Sequence, residues 1–244
     1  MKNKKTIIKF YPHKVVDYMS TPKPAKKYLP KWYLDVMPTT HPGKLTLKSN
    51  LPDTGDSPAK TMKMCMPFGD SMMSGYILET WCDIEVVKNE NNDDFGFNWP
   101  SPDWKILDGR PDKSSSKIII PENYYNKPLS FMSPLYIKTP PGYSCLITQP
   151  FNRFDLPFLG LTGIVDTDKE PLFPGNYPIF LNKKCPDVIK QGTPIIQIFP
   201  FKRDSWVAED DSGLAVEGEK ASKRAMSVIS RWYRDNAWSK KSYE

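Results

Sequence analysis

The sequence predicts a mainly β protein, a sandwich over about residues 61–205 preceded by an N-terminal arm and followed by one C-terminal α-helix. Short apolar runs at Cys145–Thr148, Leu159–Val165, Tyr177–Leu181 and Ile195–Phe199 are separated by Pro, Gly, Asn and Asp, the pattern of strands joined by turns. None of these runs is long enough for a globular helix, and proline and glycine recur between them. The chain holds 25 prolines in 244 residues, about twice the average usage of roughly 5%, a density that suits loops and edge strands.

In chain order, Thr6–Phe10 reads as a strand closed by Pro12. Pro22–Met37 reads as an arm or short helix whose Tyr28, Leu29, Trp32, Tyr33 and Leu34 anchor it to the core. Pro38 to Ala59 is polar and turn-rich, a long loop. Pro67–Asp70 reads as a turn that caps a single helical turn over Ser71–Ser74, which Gly75 ends. Tyr76–Thr80 and Cys82–Val87 are strands, the second alternating Cys82, Ile84 and Val86 with Asp83 and Glu85. Asn89–Asp94 is a polar hairpin or loop, and Phe95–Trp104, aromatic and broken by proline, suits an edge strand or lid. Lys117–Ile120 and Leu135–Lys138 are further short strands. Phe201–Gly218 is a charged linker, and Glu219–Trp238 is a helix with Ala221, Ala225, Val228, Ile229 and Trp232 on one face. The resulting division is an arm over residues 1–60, a β domain over 61–205, and a linker with an amphipathic helix over 206–244.

The composition, 39% apolar and 13% aromatic, supports a collapsed fold and excludes wholesale disorder. The net charge of +6 is mild and gathers at the two ends, at Lys2, Lys4, Lys5, Lys9 and Lys14 and again at Lys220, Lys223, Arg224, Arg231 and Arg234. Acidic residues interrupt the second cluster, so it reads as a solvated face and nucleic acid is not the expected partner. Cys65, Cys82, Cys145 and Cys185 are widely spaced and mostly set in apolar runs, a pattern of reduced, buried thiols. No segment has the length and apolarity of a membrane span, so no membrane partner is expected. The two histidines, His13 and His41, support neither a metal site nor a Ser–His–Asp triad, and no phosphate-cradling Gly-rich loop occurs. The methionines at 62, 64, 66, 72 and 73 read as core filling.

Three stretches, Pro24–Tyr33 (PAKKYLPKWY), Lys63–Val86 and Pro150–Asp168 (PFNRFDLPFLGLTGIVDTD), resemble a family of uncharacterised proteins encoded by tailed bacteriophages. That resemblance implies a phage origin and a location in the cytoplasm of the infected host cell or in the virion. Gly163-Ile164-Val165-Asp166-Thr167-Asp168, followed by the Asn182 region and by Gln191-Gly192-Thr193-Pro194-Ile195-Ile196-Gln197-Ile198, resembles the dUTPase and dCTP deaminase superfamily, whose fold is the β-clip. Pro141-Gly142-Tyr143 stands where that superfamily has a turn into a strand, and Asp70 with Gly75-Tyr76 is similar to its first motif. Together with the strand pattern, this gives a β-clip or jelly-roll-like sandwich.

The superfamily resemblance implies Asp166 as the general base that activates water, with Asp168 beside it. It further implies Gln197, Asn152, Arg153 and Asp70 as substrate-binding residues. The sequence departs from the pattern at several phosphate-binding positions. Pro150-Phe151-Asn152-Arg153 replaces Arg-Ser-Gly, Thr193-Pro194 replaces Asp-Arg, Lys169 replaces an aromatic, and the Gly-rich arm that closes over phosphates is missing. Arg153 and Arg203 are the cations that could compensate. The alternative reading of Asp166-Thr167-Asp168 is a turn whose carboxylates accept backbone N–H groups. The sequence therefore favours a non-catalytic binding or assembly module with protein partners or copies of itself, without cofactor or metal. The second reading is a nucleotide pyrophosphatase or deaminase using Mg or Zn, with a nucleotide as ligand. The third is a nucleic-acid-binding accessory protein.

Overall fold

The structure, a computed structural model, describes residues 5–16, 19–40, 61–89, 94–100, 103–111, 118–169, 175–227 and 233–244, with backbone alone for 224–227. Most of the loop predicted between Pro38 and Ala59 lies outside the described residues, as do Lys2, Lys4, Lys117, Val228, Ile229, Arg231 and Trp232. The chain divides into two compact units. One comprises residues 1–28, 74–203 and 243–244, and the other residues 29–73 and 204–242.

The first unit is mainly β, as predicted. Its strands are β1 (Lys9–Pro12), β2 (Lys23–Pro24), β3 (Tyr76–Glu79), β4 (Ile84–Asn89), β5 (Asp94–Asn98), β6 (Leu107–Gly109), β7 (Tyr124–Met132), β8 (Leu135–Lys138), β9 (Tyr143–Thr148), β10 (Phe158–Gly160), β11 (Gly163–Val165), β12 (Asn176–Asn182), β13 (Val188–Ile189) and β14 (Pro194–Lys202). They form a five-stranded sheet ordered β11-β9-β14-β3-β2, a four-stranded sheet β10-β12-β7-β6, a three-stranded sheet β13-β4-β5 and a pair β1-β8. Every described pairing is antiparallel, so the short turn-linked runs become neighbouring strands without crossover helices.

One apolar cluster joins the sheets. Leu78, Cys145, Ile195, Ile196 and Ile198 enter it from the five-stranded sheet, Leu129, Phe131, Phe158, Ile179 and Leu181 from the four-stranded sheet, and Ile84, Val86 and Ile189 from the three-stranded sheet. Burial alternates along β4, with Ile84 and Val86 inside and Glu85 and Val87 outside, the period a half-buried strand requires. The segment ahead of β3 is fastened by β2 and by Glu79, whose carboxylate accepts hydrogen bonds from Lys23 Nζ at 2.7 Å and Ser20 Oγ at 3.2 Å. Gly75 turns the chain into β3 with φ of 75°, and a Cβ there would stand 2.4 Å from Ile198 O.

The second unit carries α1 (Lys31–Asp35), α2 (Met66–Met73) and α3 (Gly213–Ser227). Lys63 Nζ donates to the carbonyls of Tyr33 at 2.7 Å and Leu34 at 3.2 Å, satisfying the end of α1, and lies 4.4 Å from the centre of the Tyr33 ring. Asp211 Oδ1 accepts from the Gly213 amide at 2.8 Å and so starts α3.

Several sequence expectations are corrected. The helix predicted at Glu219–Trp238 begins at Gly213, because the Asp211 cap lies upstream of the periodic apolar residues. Ile118–Ile120 is not a strand: it makes no ladder, and Ile119 is 98% exposed. The turn expected at Pro67–Asp70 belongs to α2, where Pro67 occupies the first helical turn that tolerates it. Leu159–Val165 divides at Leu161–Thr162 into β10 and β11, which belong to different sheets. Cys65 is exposed, while Cys145 and Cys185 are buried as expected, and all four cysteines are free thiols. Met72 is buried but Met62 is exposed.

Candidate functional site

The site forms where β9, β11 and β14 meet. Pro140 to Tyr143 makes a turn closed by the Tyr143 N–H to Pro140 O bond at 3.2 Å, with Gly142 at φ of 84°, the left-handed conformation its third position demands. β9 leaves that turn and pairs with β11 on one side and β14 on the other. The chain after β11 then returns to the turn. Thr167 points inward, its hydroxyl 2.7 Å from that of Thr139 and 3.3 Å from Cys145 Sγ, and the carboxylates on either side of it point toward the end of β14.

Arg203, just past β14, binds both. Its Nη1 donates to Asp168 Oδ1 at 2.9 Å, to Asp166 Oδ1 at 3.1 Å, to Ser144 Oγ at 2.9 Å and to the Tyr143 carbonyl at 3.1 Å. Its Nη2 closes a second contact on Asp168 Oδ2, completing a bidentate pair. Asp168 Oδ2 also accepts from the Gly142 amide at 2.9 Å, and Ser144 Oγ lies 2.6 Å from Asp166 Oδ1. The Asp168 side chain is 5% exposed and that of Asp166 56%.

The Arg203 guanidinium, with help from the Gly142 N–H, holds the Asp168 carboxyl far below the usual carboxylate range, and Asp168 in turn pushes Arg203 upward. A carboxylate held so strongly as its anion is a weak base. Of the contacts in the alternative reading, a turn whose carboxylates accept backbone N–H groups, Asp168 makes one, from Gly142, while Asp166 is bonded to the Ser144 hydroxyl and the Arg203 guanidinium.

The other predicted site residues are dispersed. Gln197 is 1% exposed; its Nε2 donates to Ser74 O at 2.6 Å and its Oε1 accepts from the Phe151 amide at 2.8 Å, fastening the loop after β9 to the entry of β3. Gln197 pairs with Thr148 on β9 and Lys202 with Tyr143, so Gln197 lies five ladder positions from the Arg203 end, about 17 Å along the strand. Arg153 is bidentate to Asp155, with both contacts at 2.8 Å, and donates to Tyr28 O at 3.0 Å. Asn152, beside it, takes φ of 60° in the same turn. Asp70 belongs to the helical unit, on α2, where Trp238 Nε1 and Lys241 Nζ each donate to Oδ2 at 2.7 Å. Of the six, the structure brings together Asp166 with Asp168, and Asn152 with Arg153.

A cavity of about 470 Å³ adjoins Asp166. Leu78, Leu135, Ile137, Ile147, Ile196 and Ile198 supply aliphatic walls, Ser133, Asn176 and Tyr177 add polar groups, and Gly163, Val165, Thr162 and Lys169 stand on the β11 side. Its size and lining are those of a binding pocket. A second groove runs past Arg153, Lys184, Lys190 and Gln191, where Lys190 is paired with Asp83 at 2.9 Å. Among the described residues, no group of three or more His, Cys, Asp or Glu is placed to hold a metal. The sequence named Arg203 as a cation but not its grip on the two aspartates, and it missed the cavity, whose walls come from strands scattered over more than 100 residues.

No protein-family model matches the sequence, and no curated protein matches it. Among solved structures, the chain is similar to the native dUTPase of EIAV, at 15% identity and a TM-score of 0.24, over 55% of this chain and 98% of that one.

Proposed function

We propose that this protein is a non-catalytic β-domain binding or assembly module that works through contacts with other proteins or with copies of itself. The observation that carries the reading is the Arg203 clamp: the carboxylate that would serve as base is bonded to a guanidinium and a hydroxyl, and its neighbour is locked as an anion. The amide and the guanidinium that would meet phosphates, on Gln197 and Arg153, are bonded within the protein. The resemblance to tailed-phage proteins supports a role in the infected cell or the particle. Size-exclusion chromatography with light scattering, together with capture from infected-cell extract and identification of each captured protein, tests this reading. A strict monomer that captures no reproducible partner overturns it.

The second reading is a divergent nucleotide pyrophosphatase or deaminase requiring Mg or Zn. One observation favours it: Asp166, 56% exposed, stands at the edge of the cavity. Turnover of any nucleotide by the wild type and not by Asp166→Asn would establish it in place of the first.

A further inference from the structure

We propose that β11 is a docking edge for an extended apolar segment of a partner protein, which adds as a strand beyond β11 and places one aliphatic side chain in the adjoining cavity. The inference rests on the protein-binding reading and names where and what it binds.

β11 is the outer strand of the five-stranded sheet, and among the described residues no backbone hydrogen bond leaves it on the side away from β9. Natural edge strands are usually blunted by lysine, proline or a bulge. β11, Gly163-Ile164-Val165, carries none of these and is limited as an edge by its three-residue length alone, and Ile164 is 66% and Val165 49% exposed. Alternation along the strand puts Gly163 and Val165 on the cavity side and Ile164 on the opposite face. A strand laid along this edge would cover Ile164 with one residue and direct the next into the cavity. Backbone pairing would then supply affinity and the pocket would supply selectivity.

The lining is aliphatic over most of its extent, with Ser133, Thr162, Thr167, Asn176 and Tyr177 as polar members, so an aliphatic side chain suits it. A free apolar molecule would fill the space but leave Ile164 and the outer peptide groups of β11 uncovered.

The rim defines the partner's charge. Asp166 and Asp168 are both engaged by Arg203, Lys138 Nζ bonds the carbonyls of Asp168 and Lys169 at 3.2 Å each, and exposed Lys169 lines the cavity. Arg203 offsets one of the two carboxylates and Lys138 and Lys169 outweigh the other, so the rim carries a small net positive charge that suits a segment with an acidic residue beside its aliphatic one.

Gly163→Phe provides the blocking variant, because a Cβ at this position meets no atom of the described residues within 4 Å and Gly163 lines the cavity. The probe is a pooled library of fluorescein-labelled octapeptides that alternate Val, Ile or Leu with Thr or Asp, titrated by anisotropy up to about 1 mM, a concentration that reports even very weak association. The expected result is binding by Asp-containing members, at least about tenfold weaker for Gly163→Phe, whose thermal midpoint is kept or raised, and lost when alternate peptide nitrogens are methylated. Several results would overturn the proposal: no binding by any member, affinity unchanged in Gly163→Phe, affinity unchanged by N-methylation, or self-association that Gly163→Phe abolishes. If the peptides fail but light scattering still shows a defined complex, only the β11 inference falls; nucleotide turnover would remove the reading beneath it.

Discussion

Arg203 and Asp168 form a bidentate ion pair in which Nη1 lies 2.9 Å from Oδ1 while Nη2 contacts Oδ2, and the same Nη1 reaches Asp166 at 3.1 Å. This pair closes the return from β11 onto the turn before β9 and commits both carboxylates.

The pair makes stability depend on pH. The folded-state pKa of Asp168 is depressed, so its contribution is fully present above the unfolded value of about 3.9 and is lost as pH falls below it toward the folded value. Glu79, Asp83 and Asp94 shift in the same direction: in Glu79, hydrogen bonds from Lys23, Tyr28 and Ser20 outweigh a burial that would raise it, while the Gln191 amide acts on Asp83 and Lys127 on Asp94. Thermal melts between pH 7 and pH 3 should show the midpoint falling below about pH 5. Asp168→Asn should start lower at pH 7 and fall less steeply, with Arg203→Ala behaving likewise.

Gln197→Leu should cost about 2–4 kcal/mol, because two backbone partners, Ser74 O and the Phe151 N–H, lose a buried amide. Urea unfolding would measure the loss, and amide exchange at Phe151 should quicken even where global stability is corrected for.

Tyr177→Phe should be neutral or stabilising by up to about 1 kcal/mol. The Tyr177 hydroxyl is buried without a hydrogen-bond partner among the described residues and packs so closely on Gly160 that a Cβ there would lie 2.4 Å from it. The companion change Gly160→Ala should destabilise in the wild type and less so in Tyr177→Phe, a coupling that a double-mutant cycle would read.

Gly75→Ala should destabilise by more than about 2 kcal/mol, since it adds a Cβ both to a left-handed residue and against Ile198 O. Ala at Gly109, where no atom lies within 4 Å and no positive φ is required, should change stability little and serves as the control.

The strands most legible in the sequence are those whose apolar runs are bounded by turn residues. Leu135–Lys138 was predicted at its observed bounds, and the Pro-Gly-Tyr turn was placed correctly before β9. β7 was missed because Asn126, Lys127 and Pro128 break its pattern, although their neighbours Tyr125 and Leu129 are buried. β6 and β13 are too short to leave a periodic signal. At the site, Asp166 and Asp168 were named together through the superfamily resemblance. The partner that decides their chemistry, Arg203, lies 35 residues beyond Asp168, and β9 pairing with β14 alone brings it back. Nothing in the run around Gln197 distinguishes an amide turned inward to fasten a loop from one turned toward a ligand.

The most direct test of the Arg203 clamp as the mark of a non-catalytic module is a turnover screen of purified wild type, Asp166→Asn and Arg203→Gln. Each is incubated with every dNTP and NTP, with Mg and with Zn, and products are separated by chromatography. The account predicts no product above the protein-free blank for any of the three. Hydrolysis or deamination by the wild type that disappears in Asp166→Asn would contradict it.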